Sequence, residues 1–224
     1  MTGSKDLHNL RGKFLVLDGG EGCGKSTQIK RLADHLRDRG LTVLSVRDPG
    51  TTRVGERVRD ILLDPASDGM AMRCEMLLYM AARAQLVRES IRPALERGEI
   101  VLCDRFVSST LAYQLGGDGL TVDEIEAVGD AAVDGCWPDL TIVLDVPVEV
   151  AMGRHVKKPV LFEGAEQIDL DRIERRPTDY HRRVRQNYLD QAARHPQRYA
   201  VIDAQQDIDA TFADVVDAVG RVAS

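Results

Sequence analysis

A glycine-rich segment near the N-terminus limits the possible folds of this chain more than any other feature. It follows Phe14–Asp18, a short apolar run typical of a buried strand. The segment reads Gly19-Gly20-Glu21-Gly22-Cys23-Gly24-Lys25-Ser26-Thr27 and matches the pattern G-x-x-x-x-G-K-[ST]. Residues 25–39 then have helical periodicity and end at Gly40, a common helix stop. A strand, a glycine-rich turn and a helix in this order predict a phosphate-binding P-loop. A turn with a coincidental lysine is the alternative.

The residue types of this loop suit a nucleoside triphosphate. Its glycines let backbone N–H groups turn toward an anion, and the following helix directs its positive end to the same place. Lys25 would then reach the β- and γ-phosphates, and Ser26 would ligate Mg²⁺. We therefore expect residues 19–27 to bind ATP. These features alone do not distinguish a kinase from a switch or a motor.

Further along the chain, short apolar strands alternate with helical segments. Strands are predicted over residues 41–46, 100–103, 140–146 and 199–202, and helices over residues 54–63, 73–97, 107–115, 122–133, from Pro147 onward, 178–194 and 208–222. This alternation predicts an α/β fold with a five-stranded parallel sheet covered by helices on both faces. Ligands of such folds bind at the carboxyl ends of the strands.

The third predicted strand supplies a second candidate site. Asp104 stands at the end of its apolar run, where a carboxylate suits Mg²⁺, held directly or through water. A helix N-cap is the alternative interpretation of Asp104 alone. Arg105 follows it, and an Asp-Arg pair at a strand end beside a P-loop indicates that metal and phosphate are handled together.

The composition argues against several classes of protein. The chain has 224 residues and a net charge of −6, whereas nucleic-acid binders usually carry a basic excess. No apolar run approaches the roughly 20 residues that span a bilayer, so we expect no membrane partner. Residues 1–13 are polar and lack the apolar core of a signal peptide. We expect them to be a loose extension of a single domain over residues 14–224.

The four cysteines favour a reducing, cytoplasmic location. Cys23, Cys74, Cys103 and Cys136 are widely spaced and form no Cys-x-x-Cys pair. This spacing argues against zinc and against a disulfide scaffold.

Four stretches together resemble thymidylate kinases, particularly the bacterial form. They read LDGGEGCGKST (17–27), RDPGTT (47–52) followed by Gly55-Glu56, LLYMAARAQ (77–85), and DRF (104–106) with STLAYQ (109–114). The resemblance implies a nucleoside monophosphate kinase-like P-loop NTPase fold with a helical lid, and commonly a homodimer. It also implies transfer of a phosphoryl group from Mg·ATP to dTMP, a step in dTTP biosynthesis. Another nucleoside or nucleotide kinase and a non-catalytic switch are the alternatives.

By resemblance, one helix carries two residues that bind the acceptor. Tyr79 takes the aromatic position that stacks on thymine, with a core residue as the alternative. Arg83 lies four residues later on the same helix face and would pair with the acceptor phosphate, with an exposed surface arginine as the alternative. Arg105 takes the position of the second phosphate-binding arginine, which suits bidentate contact.

The resemblance also assigns residues to the base, the sugar and the pocket border. Thr110 sits where the family places a polar group facing the base, and Gln114 lies nearby without a defined role. Tyr113 resembles the tyrosine beneath the ribose that leaves no room for a 2′-hydroxyl.

The turn at Pro49 and Gly50 resembles the one that borders the substrate pocket. Asp48 and Thr51 replace the family's usual Glu and Gly in it, which leaves the detailed geometry of this turn open.

The catalytic cation is expected outside the P-loop. Some thymidylate kinases carry a mobile arginine in the P-loop just after its acidic residue, but here Glu21 is followed by Gly22. We therefore expect a basic lid within residues 154–176, with Arg154 and Arg172 as candidates and solvated helix charges as the alternative. Glu21 itself would orient Mg²⁺-bound water or a lid residue.

Overall fold

A five-stranded parallel sheet forms the centre of the protein. The computed structural model describes residues 7–156 and 171–223. The strands are β1 (Phe14–Asp18), β2 (Val43–Arg47), β3 (Ile100–Asp104), β4 (Leu140–Asp145) and β5 (Tyr199–Asp203). Their order across the sheet is β2-β3-β1-β4-β5, and every pairing between neighbours is parallel. The predicted five-stranded parallel sheet is confirmed.

Helices cover both faces of this sheet. They are α1 (Lys25–Arg37), α2 (Arg53–Leu63), α3 (Met72–Leu86), α4 (Arg92–Glu96), α5 (Val107–Gln114), α6 (Val122–Val133), α7 (Val148–Val156), α8 (Thr178–Arg194) and α9 (Ile208–Val222). The single helix predicted over residues 73–97 is interrupted by a π-helical turn, Val87–Ile91. Pro93 follows that turn closely. A proline has no N–H to donate to the preceding helical turn, and its ring collides with the carbonyl four residues earlier.

The side chains of β1 alternate between two apolar layers. Leu15 and Leu17 pack in the layer that also contains α1 and α9 residues. Phe14 and Val16 pack in the opposite layer with α3 and α5 residues. All four side chains are at most 1% exposed. Because both faces of β1 are buried, its sequence is continuously apolar, and its carboxyl end is held firmly beneath the P-loop.

Residues 7–13 are packed, so the expected loose extension is wrong for this part of the chain. Leu10 is fully buried against the first apolar layer. The Asn9 side chain donates to the Ala223 carbonyl at 3.0 Å, and Lys13 pairs with Asp139 at 2.9 Å. The apolar Leu10 and these two contacts attach the segment to the domain. Residues 1–6 lie outside the described part of the chain.

The expected lid is described only at its two ends. Residues 157–170 lie outside the described part of the chain, so the structure gives Arg154 on α7 and residues 171–176 before α8. Among the described helices, none has the combination of length and apolar character needed to cross a membrane.

Candidate functional site

A cavity of about 500 Å³ opens at the carboxyl ends of β1, β2 and β3. It is lined by the P-loop, the turn after β2, α3, the start of α5 and residues from both described ends of the lid region. The cavity brings together every predicted site residue except Gly19, Gly20, Cys23 and Arg172. Its position agrees with the rule that ligands of parallel sheets bind beyond the strand ends.

The P-loop packs tightly on β4 and is stapled by its own lysine. Gly19 has a φ of 134°, and a Cβ there would lie 2.5 Å from the Leu144 carbonyl oxygen, so only glycine fits. The Lys25 Nζ atom donates to the carbonyls of Gly20 at 2.9 Å and Gly19 at 3.2 Å. Lys25 is 8% exposed. Its ammonium is therefore held at the loop, where a bound phosphate would meet it.

Asp18, which the sequence interpretation missed, connects the P-loop to two helices. Its carboxylate is fully buried. It accepts hydrogen bonds from the Gly19 N–H at 3.1 Å and from hydroxyls of Ser108 at 2.6 Å, Ser109 at 2.7 Å and Tyr188 at 2.5 Å. An acid that ends an apolar run directly before a P-loop was the available signal. Four donors on one carboxylate fix the loop relative to α5 and α8.

Arg105 lies between the P-loop and α5. Its guanidinium pairs with the Glu21 carboxylate and donates to the Gly19 carbonyl at 3.1 Å. It also lies over the Tyr113 ring, 5.0 Å from the ring centroid. The Tyr113 hydroxyl donates to Glu21 at 3.2 Å. Glu21 therefore has Arg105 and Tyr113 among its partners and links the P-loop to both side chains.

Arg83 is held by buried protein groups, and its expected phosphate role stays a prediction. It is 1% exposed, and its Nε atom pairs with Asp48 at 2.6 Å. Its two terminal nitrogens donate to Thr110 at 3.1 Å and to the Phe106 carbonyl at 2.9 Å. Burial raises the pKa of the Asp48 carboxyl, and the Arg83 charge opposes that rise. Arg83 therefore joins the turn after β2 to α5 at one end of the cavity.

Three further residues complete that end. Tyr79 lies one helical turn before Arg83 on α3, and it lines the cavity. Thr110 and Gln114 are four residues apart on α5, so they share one face, and each is 1% exposed. An aromatic ring beside a few convergent polar groups is typical of small-molecule pockets.

The turn after β2 accommodates both unusual residues. Asp48 is short enough to pair with the buried Arg83. Thr51 has a φ of 67°, a left-handed conformation that normally favours glycine. Its hydroxyl accepts from the Arg47 N–H at 2.9 Å and donates to the Arg47 carbonyl at 3.2 Å. These two bonds offset the strain, which explains how a threonine replaces glycine here.

Arg59 is a second residue that the sequence interpretation missed. It lies on α2, lines the cavity and donates to the Pro49 carbonyl at 3.2 Å. Burial lowers its pKa, and the nearby Arg47 charge acts in the same direction. In the sequence, nothing separates Arg59 from Arg53 and Arg57 on the same helix. Only the fold shows which of them faces the cavity.

The residues predicted to hold Mg²⁺ fit that ion. The Asp104 Oδ1 atom is buried without a hydrogen-bond partner among the described residues, and Asp104 lines the cavity together with Ser26. A carboxylate oxygen and a hydroxyl are oxygen ligands of the kind that Mg²⁺ prefers. Within residues 7–156 and 171–223, no cluster of three or more His, Cys, Asp or Glu side chains surrounds a metal position.

The two lid candidates have different environments. Arg154 lines the cavity and donates to the Ala204 carbonyl at 2.8 Å. Arg172 is 5% exposed, pairs with the buried Glu75 carboxylate and donates to the Leu62 carbonyl at 3.0 Å. In this conformation Arg172 does not line the cavity, and two of its nitrogens donate to interior groups. A catalytic role for Arg172 stays a prediction.

Comparison with known proteins identifies similar proteins over nearly the whole chain. A family model described as thymidylate kinase matches residues 17–215. The thymidylate kinase of Pseudomonas putida (strain GB-1) is 46% identical over 206 residues, which cover 92% of this chain and 94% of that protein. The thymidylate kinase of Thermoanaerobacter sp. (strain X514) is 42% identical over 95% of this chain and 99% of its own length. A crystal structure of thymidylate kinase from Ehrlichia chaffeensis superposes with a TM-score of 0.70 at 29% identity, covering 92% of this chain and 96% of that one.

Proposed function

The chain belongs to the thymidylate kinase family and, as in that family, phosphorylates dTMP to dTDP with ATP; we propose that one continuous cavity performs this transfer. ATP would occupy the P-loop end, and dTMP the end formed by α3 and α5. The observation that carries this proposal is the position of Arg105, which contacts the P-loop on one side and α5 on the other. An arginine there can hold an acceptor phosphate beside the γ-phosphate.

We assign the donor end to the P-loop and its lysine. Backbone N–H groups of residues 19–27 and the start of α1 would bind the phosphates of ATP. Lys25 would neutralise charge on the β- and γ-phosphates. Ser26 and Asp104 would hold Mg²⁺, which supplies further charge neutralisation to the phosphate oxygens when bound.

At the acceptor end, Arg105 and Arg59 would bind the phosphate of dTMP. Tyr79 would stack on thymine, while Arg83 and Thr110 would contact its polar edge. A dTMP phosphate oxygen forms the new bond to the γ-phosphorus, and the bond from that phosphorus to the bridging oxygen of ADP breaks. The attacking oxygen is already ionised at neutral pH, so positioning and charge neutralisation suffice without a strong base.

An ADP-release assay across the natural nucleoside monophosphates tests this proposal. We expect ATP turnover with dTMP and little turnover without an acceptor. Preference for another monophosphate would indicate a different nucleotide kinase. Tight ATP binding without turnover on any acceptor would indicate a nucleotide-dependent switch.

Sugar selection should depend on the bulk of Tyr113. Tyr113 is 8% exposed and packs edge-to-face against Tyr180 and Tyr188, which hold its ring in place. Tyr113→Ala should narrow the gap in kcat/KM between dTMP and its ribonucleotide counterpart. Tyr113→Phe should keep the gap, because the ring stays. If Phe behaves like Ala, the hydroxyl bond to Glu21 is what matters, and the steric explanation fails.

Arg154 and Arg172 should respond differently to neutralisation. Arg154→Met should lower kcat about tenfold or more with little change in the KM for dTMP, as loss of a charge at the transferring group would. Arg172→Met should lower the melting temperature, because Glu75 loses a buried partner, while kcat of the folded enzyme stays within about twofold. If Arg154→Met also leaves kcat within about twofold, the lid supplies no catalytic cation.

We also propose that the protein is a cytoplasmic homodimer. Val54 and Ile61 on α2 and Leu77 on α3 are 47–50% exposed, and these two helices pack side by side. A second copy would cover this apolar face, as oligomers usually do with such patches. Sedimentation velocity at micromolar concentration should give the mass of two chains.

The cysteines bear on the proposed cytoplasmic location. All four are free, which supports a reducing compartment. Cell fractionation checks this location.

A further inference from the structure

A buried carboxylate outside the substrate cavity is hydrogen-bonded to the side-chain amide of a residue that lines the cavity. Glu75 lies on α3 and is fully buried. Its Oε2 atom pairs with the guanidinium groups of Arg172 and, at 2.6 Å, Arg176. Its Oε1 atom accepts from the Gln114 side-chain nitrogen at 2.7 Å. Glu75 therefore links the segment before α8 to the end of the cavity formed by α3 and α5.

The two arginines determine the direction of the Gln114 amide. A carboxylate paired with two guanidinium groups has lone pairs to offer and no proton to donate. Gln114 must therefore turn its NH₂ group toward Glu75, because the opposite orientation would place two acceptors against each other. The carbonyl oxygen of Gln114 then points away from Glu75. It is buried and has no hydrogen-bond partner within the described chain, while Gln114 itself lines the cavity.

A fixed acceptor next to a fixed donor makes a pattern that distinguishes pyrimidines. The Arg83 guanidinium has five N–H groups, and four of them donate to described residues. The fifth N–H of Arg83 and the carbonyl oxygen of Gln114 lie on neighbouring helices at one end of the cavity. Thymine and uracil present a carbonyl acceptor beside an imide N–H donor. Cytosine presents the reverse, an amino donor beside a ring-nitrogen acceptor. The arrangement therefore complements the imide edge and opposes cytosine.

We propose that Glu75 is a positioning residue for base specificity: it fixes Gln114 as a hydrogen-bond acceptor for the imide N–H of the substrate base. This proposal rests on the proposed function, because it requires the base at the α3–α5 end. The ion pairs with Arg172 and Arg176 hold the Glu75 carboxylate in place beside Gln114. Loss of a purely structural residue would lower kcat/KM equally for all nucleoside monophosphates. A positioning role instead predicts a change in the ratio of kcat/KM between them.

The variant Glu75→Gln tests the proposal, with kcat/KM and dissociation constants measured for dTMP, dUMP and dCMP. Glutamine at this position can donate as well as accept, so Gln114 becomes free to turn over. We expect the preference for dTMP over dCMP to fall about tenfold or more, the scale of one hydrogen bond exchanged for an unpaired group. The preference for dTMP over dUMP should stay unchanged, because both carry the imide. An unaltered dTMP-to-dCMP ratio in the folded variant overturns the proposal.

Further variants keep the test decisive if Glu75→Gln does not fold. Gln114→Leu removes the acceptor but leaves the Glu75 ion pairs, and it should lower the same ratio; a retained ratio overturns the proposal. The double variant Glu75→Gln with Gln114→Glu restores an acceptor that cannot turn over, and it should recover selectivity. If this double variant folds and stays unselective, the orientation account is overturned. Glu89→Gln is the matched control, since Glu89 accepts from Gln85 in a similar pair on the exposed surface.

Wild-type measurements separate this proposal from the proposed function. Turnover of dTMP by the unmodified enzyme tests the function, whatever the Glu75 variants do. A wild-type enzyme that prefers dTMP, together with a Glu75→Gln variant of unchanged preference, sinks only the positioning role.

Discussion

Replacing Lys25 with alanine should lower kcat by about 10²-fold or more, because the transition state loses a charge directed at the transferring phosphoryl group. The same substitution should change the melting temperature only slightly. The Lys25 ammonium donates to two P-loop carbonyls, so the loop loses two hydrogen bonds. The buried β1 and α1 residues that support the loop remain in place. Steady-state kinetics and thermal unfolding of the same preparation separate the two effects.

Lys30→Ala is the control for Lys25→Ala. Lys30 lies on the same helix and pairs with Asp34 on the exposed surface. Its replacement should leave kcat unchanged, which excludes a general effect of removing a cation from α1. A Lys25→Ala enzyme with near-native kcat would remove this residue from the mechanism.

The largest loss of stability should come from Asp48→Ala. The Asp48–Arg83 pair has side-chain exposures of 0% and 1%, and removing one partner leaves a charge buried without compensation. Such losses typically lower the free energy of unfolding by about 3–5 kcal/mol. Urea denaturation followed by circular dichroism should show a correspondingly lower midpoint with an unchanged slope.

Two controls define the cause of that loss. Glu149 pairs with Arg182 on the surface, and Glu149→Ala should leave the urea midpoint almost unchanged. Asp48→Asn keeps the shape of the side chain and removes its charge. If Asp48→Asn is as stable as the wild type, the hydrogen bond to Arg83 matters and the ion pair does not.

The sequence was sufficient for the sheet because local pattern determines it. Apolar runs bounded by glycines and acids located all five strands to within about two residues, and the ends of α6, α8 and α9 agree with the prediction. The P-loop was equally clear, since its glycines, lysine and hydroxyl residue are adjacent in the chain. The break in the helix predicted over residues 73–97 was not found, because a helical period continues on both sides of Pro93.

Pairings between distant segments could not be read from the sequence. Arg83 lies 35 positions from Asp48, and Arg172 lies 97 positions from Glu75. A periodic pattern shows which helix face is buried, but it does not show which charged side chain of another element pairs with that face. For this reason, the sequence does not predict the buried pairings of Arg83 and Arg172, and it does not single out Arg59 or Asp18. The resemblance pointed to residues that the fold brings to one cavity, and their contacts could be described only from the structure.

The buried Asp48–Arg83 pair also bears on drug resistance. A competitive inhibitor that takes its main hydrogen bonds from Arg83 binds a residue whose substitution also endangers the fold. A resistant variant would need to lose inhibitor contacts and keep a folded, active enzyme at the same time. Arg59 is only partly buried, and its one described hydrogen bond is to the Pro49 carbonyl. Inhibitors anchored on Arg83 should therefore select resistance more slowly than those anchored on Arg59.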